Sequence, residues 1–421
     1  MKYAKNSSWM LAEYGLKIIS AIFVSIYVAR YLGPEQFGLI SYALAIVAIV
    51  SAISRLGMES ILVRDIAKYP EQQQAYLGTA FTLMLIAATT GLMLLSGLIY
   101  WLETDPKTQL YIWIIAIGIL FQTFLVIDYN FQAQVKAKYS SIAKSIALGL
   151  GAIIKIYLVW IQAELWLFAI AYALDTVIIA STLLITHWLK KQPNFIGVFQ
   201  PALVIPILKS AWPMVLSAAA FMLYAKTDQI MIKYFLDMHQ LGLYSAASKI
   251  FEGWVMIPFV LIISLMPAIV KLKKNDNDEY YKNLVILFRL FFVTSLSVAL
   301  FFFIFGEYIV EFLYGAPFIE SANVLKIMMW AAIFTTIGTL TARYLVVEGE
   351  ETKLLYMTSV GLIFNIFLNW FLIPSYGIEG AAIASLTSLF ITYIVYDWFD
   401  KRLKYLRLVK MKAFTNFGKF Q

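Results

Sequence analysis

Apolar runs long enough to cross a bilayer recur along nearly the whole chain. They fall at residues 9–30, 38–56, 77–101, 109–131, 141–161 and 164–188, then at 205–235, 243–270, 283–305, 324–347, 353–373 and 377–397. A hydrocarbon core of ~30 Å needs about 20 residues of helix. Lipid offers no partner to a backbone amide, so only α-helices and closed β-barrels span it. Barrel strands alternate apolar and polar residues, whereas these runs are continuous, which argues against a barrel. Composition agrees: 62% of the 421 residues are hydrophobic and 14% charged, against ~45–50% and ~25% in soluble domains. The expectation is an all-α polytopic membrane protein of about 12 transmembrane helices. The opening residues run into the first apolar stretch with no small-residue cleavage pattern, which predicts a first span rather than a removable signal.

The connections predict orientation. Lys2 and Lys5, Arg55, Arg64 and Lys68, Lys136, Lys138 and Lys144, Lys190, Lys191 and Lys209 fall on one side. So do Lys271, Lys273, Lys274, Lys282, Arg343, Lys353 and the seven basic residues after Asp400, roughly 24 of the 33 in all. Arg30, Lys107, Lys233 and Lys326 fall on the other. Basic loops stay cytoplasmic, so both termini are expected in the cytoplasm. The net charge of +8 is then a topology signal and a contact with anionic membrane lipid, not a nucleic-acid surface.

One short match relates the two halves. Gln36-Phe37-Gly38-Leu39-Ile40-Ser41 joins the first and second runs, and Gln240-Leu241-Gly242-Leu243-Tyr244-Ser245 joins the seventh and eighth. Six spans separate the copies, which predicts parallel repeats about an axis normal to the membrane. The expected organisation is two six-helix lobes, residues 1–200 and 201–400, followed by a basic amphipathic cytoplasmic tail at 401–421.

Ionisable residues inside a membrane are costly, by ~2.5–3.5 kcal/mol each on insertion scales, and mark interiors or wet cavities. Here they are Glu13 and Lys17, four apart on one helix face, then Asp128, Lys155, Asp175, Lys226, Asp228, Lys249, Glu252 and Arg289. Glu13 and Lys17 can pair, and Arg289, near a span end, can snorkel. Lys226 and Asp228 point to different sides of their helix and need separate partners or water. Tyr14, Tyr129, Tyr224 and Tyr244 lie near these charges; a phenol ring suits a sugar face, and equally an interfacial aromatic belt. The chain has no cysteine and only His187 and His239, which predicts no metal site, disulfide or thiol chemistry. No nucleophile triad or phosphate loop is present, so neither an enzyme nor a cofactor is expected.

Four segments resemble the polysaccharide transporter family, the O-antigen and repeat-unit flippases of the multidrug/oligosaccharidyl-lipid/polysaccharide exporter superfamily. They are Tyr31-Leu32-Gly33-Pro34-Glu35-Gln36-Phe37-Gly38, Lys226-Thr227-Asp228-Gln229-Ile230-Met231-Ile232, Gly242–Ile250, and Asn365 and Asn369 with Leu372–Ala382. The resemblance implies a bacterial inner-membrane flippase with alternating access to a central cavity. Its implied substrate is an undecaprenyl-pyrophosphate-linked oligosaccharide. A diphosphate favours a cationic cavity, and Lys17, Lys226 and Lys249, with Lys155 behind them, are the candidates. Glu13, Asp228 and Asp128 are candidates for an H+ or Na+ coupling role, and other polysaccharide assembly proteins are implied as partners. Two alternatives stay open: a multidrug or organic-cation exporter of the same fold, and a membrane polysaccharide polymerase or ligase. The short outer loops, nearly free of Arg, count against the latter.

Overall fold

The computed structural model describes residues 2–275 and 277–415. Its α-helices are α1 (Lys2–Ser54), α2 (Met58–Lys68), α3 (Gln73–Leu102), α4 (Pro106–Ala116), α5 (Gly118–Phe121), α6 (Val126–Ala133), α7 (Ala137–Trp160) and α8 (Leu165–Leu189). They continue as α9 (Pro201–Phe235), α10 (Met238–Asn275), α11 (Asn277–Tyr314), α12 (Ser321–Glu348), α13 (Glu351–Phe390) and α14 (Lys404–Thr415). No strand occurs among the described residues.

Among the described residues ten stretches are long and apolar enough to cross a membrane, and two of them, Trp9–Lys68 and Thr352–Trp398, run to 60 and 47 residues. At 1.5 Å per residue these would be rods of ~90 and ~70 Å, far beyond one crossing. Both are broken at a glycine in a backbone conformation L-residues avoid: Gly33 at φ 73° inside α1 and Gly377 at φ 59° inside α13. The chain doubles back at each. Lys17 and Arg55 line one cavity, although a straight helix would hold them ~57 Å apart. A Cβ on Gly380 would come within 2.5 Å of the Leu372 carbonyl carbon, where a continuous helix gives ~12 Å. Each long stretch therefore holds two crossings, and the ten stretches supply the twelve spans expected.

The chain divides into two compact units, one of residues 1–32 and 39–226 and one of residues 33–38 and 227–421. The sequence boundary near residue 200 sits where hydropathy falls, in the polar Lys190–Gln200 connection. Packing divides the chain within α9 instead. Leu203 and Ile207 belong to the core cluster of the first unit, with Met58, Leu62, Leu77, Met84, Phe131 and Phe195. Two turns from its end α9 changes allegiance: Asp228 bonds to Asn369 and Phe235 packs edge-on to Trp370. In the first unit the connection after α8 folds inward. Phe195 is buried against Phe81 and His187, and the His187 ring bonds to the Pro193 carbonyl at 3.1 Å.

In the second unit α12 is the central helix, packed by α10, α11 and α13. The Gly33–Gly38 segment is built into this unit. Gly38 lies on Gly242, where its Cβ would stand 2.8 Å from the Gly242 amide nitrogen, and Phe37 packs edge-on to Phe318 at 6.3 Å. The two glycines that occupy the same place in the repeated segments, Gly38 and Gly242, thus lie against each other within this unit. The tail is not a free arm as far as Thr415; residues 416–421, the end of the expected tail, lie outside the described residues. α14 buries Leu406, Val409, Lys410 and Ala413. Arg289, read as a snorkelling residue, donates to the Lys412 and Ala413 carbonyls at 3.2 and 3.4 Å, a cation at a helix C-terminus as the dipole favours.

Candidate functional site

A cavity of about 200 Å³ opens in the first unit, among residues from α1, α2, the Gly118–Ala133 region, α7 and α8. Lys144 on α7 bridges two acids: its Nζ is 2.9 Å from Glu13 and 2.8 Å from Asp128. Gln132, one turn beyond Asp128, donates to the same carboxylate oxygen at 3.2 Å. The other oxygen, Oδ1, is buried without a hydrogen-bond partner. Two carboxylates sharing one ammonium in low dielectric form a compact charged core, because each alone would be strongly disfavoured there.

Two more cations share the cavity with this bridge. Lys17 and Arg55 both line the cavity and are exposed, as is a third acid of the lining, Glu59. Arg55 Nε donates to Gln122 Oε1 at 2.9 Å, and Gln122 Nε2 donates to Ser51 Oγ at 3.2 Å. Gln122 opens a stretch of 3₁₀ helix, Gln122–Leu125, between α5 and α6. Mid-helix 3₁₀ turns re-aim side chains and often mark functional segments; this one turns Gln122 toward Arg55. Tyr14 and Tyr129 complete the wall.

The structure thus brings together Glu13, Tyr14, Lys17, Asp128 and Tyr129 of the expected residues. It changes one pairing. Glu13 meets Lys144 from another helix, not Lys17 from its own, because the bridge to Asp128 satisfies two acids at once. Lys144 and Arg55 escaped the sequence reading, which counted both as loop cations. The available signal was position: Lys144 lies two turns inside an apolar helix that begins at Ala137.

Lys155 lies outside this cavity lining, buried between α7 and α8, where its Nζ is 2.6 Å from Asp175 Oδ1 and stands over the Tyr172 ring. Lys226, two residues after Tyr224, is half-buried on α9 and is the last residue of the first unit. Lys249 belongs to the second unit and pairs with Glu252 at 3.0 Å.

Asp228 is the centre of a second cluster, wholly within the second unit. Its carboxylate accepts from Tyr244 at 2.6 Å, from Asn369 at 2.6 Å, and from Ser385. Asn369 Nδ2 also reaches Asn365 Oδ1 at 3.1 Å, and Asn369 Oδ1 is buried without a partner. Tyr244, considered for sugar contact, is buried with its hydroxyl on Asp228. Among the described residues no group of three acids or histidines is placed to hold a metal.

The family model described as polysaccharide biosynthesis protein matches residues 3–273, and the model named MatE matches residues 213–371. The chain is 22% identical over 410 residues to the capsular polysaccharide biosynthesis protein CapF of Staphylococcus aureus, covering 95% of this chain and 99% of that one. It is 22% identical over 424 residues to a Shigella flexneri protein named for O-antigen transport, covering 96% and 99%. Its fold is similar to the lipid II flippase MurJ in an inward closed conformation, with a TM-score of 0.74 at 16% identity, covering 97% of this chain and 90% of that one.

Proposed function

Since the chain belongs to the polysaccharide biosynthesis protein family, matched over residues 3–273, we propose that this multi-pass membrane protein is a flippase. It carries an undecaprenyl-pyrophosphate-linked oligosaccharide across the bacterial inner membrane by alternating access, with both termini in the cytoplasm. The supporting observation is the cavity that Lys17 and Arg55 line together with the Glu13–Lys144–Asp128 bridge. Lys144 is taken up by the bridge, where it offsets one of the two negative charges. Lys17 and Arg55 are left to meet a diphosphate, whose charge makes the crossing costly without cations. Arg presents a planar fork to phosphate oxygens and Lys a point charge, so together they match a two-phosphate anion. Lys226 and Lys249 are assigned the same role. Tyr14, Tyr129 and Tyr224 are the sugar contacts of this reading. Glu13, Asp128 and Asp228 are its acids for a coupling H+ or Na+. The chain carries its cargo unchanged, as a transporter working beside other assembly proteins rather than as an enzyme.

The test is complementation of a flippase-null strain, read against the amount of folded protein. Lys17→Ala, Arg55→Ala, Lys226→Ala and Lys249→Ala are expected to lose surface polysaccharide while accumulating normally. Lys17→Arg is expected to keep part of it. Normal transport by all four alanine variants overturns the reading. The MatE match supports one second reading, export of an organic cation. In that case Glu13 and Asp128 bind the cargo, and Lys17→Ala leaves transport of the cation intact.

A further inference from the structure

The last apolar stretch ends at Trp398 and α14 begins at Lys404. Chain continuity therefore places α14 at a membrane–water boundary. At 3.6 residues per turn its residues sort into two stripes. Leu406, Val409, Lys410 and Ala413, spaced i, i+3, i+4, i+7, are buried. This inner stripe is fastened: Lys410 Nζ is 2.8 Å from Asp397 and 2.7 Å from the Tyr393 carbonyl, and Phe414 packs on Phe292 at 4.8 Å.

The opposite stripe is the informative one. Lys404, Leu408, Met411 and Thr415 are all exposed there. Arg407 flanks it on one side, over the ring of exposed Trp398 at 4.7 Å, and Lys412 on the other. Just before the helix Phe399 is 82% exposed, with Lys401 and Arg402 beside it. An apolar strip bordered by cations on both sides, with aromatic rings at its start, suits the headgroup region, where apolar side chains enter the acyl boundary and cations stay at the phosphates. The charge is one-sided. The acids here are Asp397, buried on Lys410, and Asp400, beside Lys353.

We propose that α14 is a lipid-binding helix that rests on an anionic bilayer surface. Leu408, Met411, Trp398 and Phe399 enter the interface, and Lys401, Arg402, Lys404 and Lys412 meet acidic headgroups. Because the inner stripe is pinned to α11 and to the end of the last span, the contact engages the second unit as a whole, not a loose tail. A nucleic acid or an acidic protein would leave the apolar strip bare.

The chain has no cysteine, so a nitroxide on Leu408→Cys reports this face alone in the full-length protein. The protein is reconstituted in vesicles of phosphatidylcholine, with or without phosphatidylglycerol. Collision rates are then measured with oxygen and with a water-soluble nickel chelate. The expected result with phosphatidylglycerol is a label open to oxygen and shielded from nickel, released by high salt. Lys401→Gln, Arg402→Gln, Lys404→Gln and Lys412→Gln, all at exposed positions, should each weaken the preference for the acidic lipid by about fivefold. A label open to nickel in both vesicles overturns the proposal. So does equal shielding in phosphatidylcholine alone. Shielding only in native membranes, and not in vesicles, assigns the face to a protein partner and overturns it too.

Discussion

Gly38 and Gly242 each seat in the backbone of the other's helix start. A Cβ on Gly38 would stand 2.8 Å from the amide nitrogen of Gly242, and one on Gly242 would stand 2.6 Å from the carbonyl carbon of Pro34. The same sequence offset relates Pro34 to Met238, whose carbonyl faces Gly38 in turn. The contact is thus swapped between two copies of one motif, and backbone meets backbone with no side chain able to yield.

Alanine at either glycine should therefore be costly. Overpacking of a tight site costs ~1–3 kcal/mol and occasionally more, and rigid neighbours put this pair at the upper end. Gly38→Ala and Gly242→Ala are expected to lower the melting temperature of the purified protein and the amount that accumulates. An unchanged melting temperature for both would show that the segments separate freely.

Lys144 holds two buried acids. Lys144→Met leaves Glu13 and Asp128 facing each other without a cation, and breaking a buried pair in this way costs ~3–5 kcal/mol. The triple variant Lys144→Met, Glu13→Gln, Asp128→Asn removes the unpaired charge and should recover most of that loss. Thermal unfolding in detergent separates the two. A triple variant no more stable than the single one contradicts the bridge.

At Asp228 the loss should follow the stranded donors. Asp228→Ala leaves Tyr244 Oη, Asn369 Nδ2 and Ser385 Oγ without their shared acceptor, at ~1–3 kcal/mol for a buried group left unmade. Asp228→Asn keeps one acceptor oxygen and should destabilise less. Transport tells more: if Asp228 is a coupling acid, the Asn variant folds and yet loses ion-dependent uptake, measured in vesicles with an imposed gradient.

Asp105 gives a pH signature outside the spans. Its carboxylate accepts from Thr108 Oγ1 at 2.7 Å, Thr108 N at 3.0 Å and Lys107 N at 3.3 Å, capping α4. These bonds, the Thr108 hydroxyl first, hold its pKa below the ordinary carboxylate value. A depressed folded pKa means the unfolded chain takes the proton first. The cap's contribution is full above the unfolded value and is lost as pH falls through the folded one. Asp105→Ala should cost ~1 kcal/mol at neutral pH. The gap to the parent should close on acidification below about pH 4. A constant gap across that range would assign the effect to something other than the carboxylate.

The apolar runs, the breaks at Gly33-Pro34 and Tyr376-Gly377, and the depth of Glu13, Lys17 and Asp228 were legible in the sequence by itself. Hydropathy and turn chemistry are local, since each segment meets the same lipid regardless of its neighbours. Partner choice is not local. Lys144 reads as a loop cation until α1, α6 and α7 are laid together, and only then do Glu13 and Asp128 converge on it. Two of the three donors to Asp228, Asn369 and Ser385, arrive from α13, more than a hundred residues away. Arg289 finds the end of α14 in the same way. A buried charge takes whichever donors or acceptors the helix packing brings within ~3 Å, and that packing is a property of the whole chain.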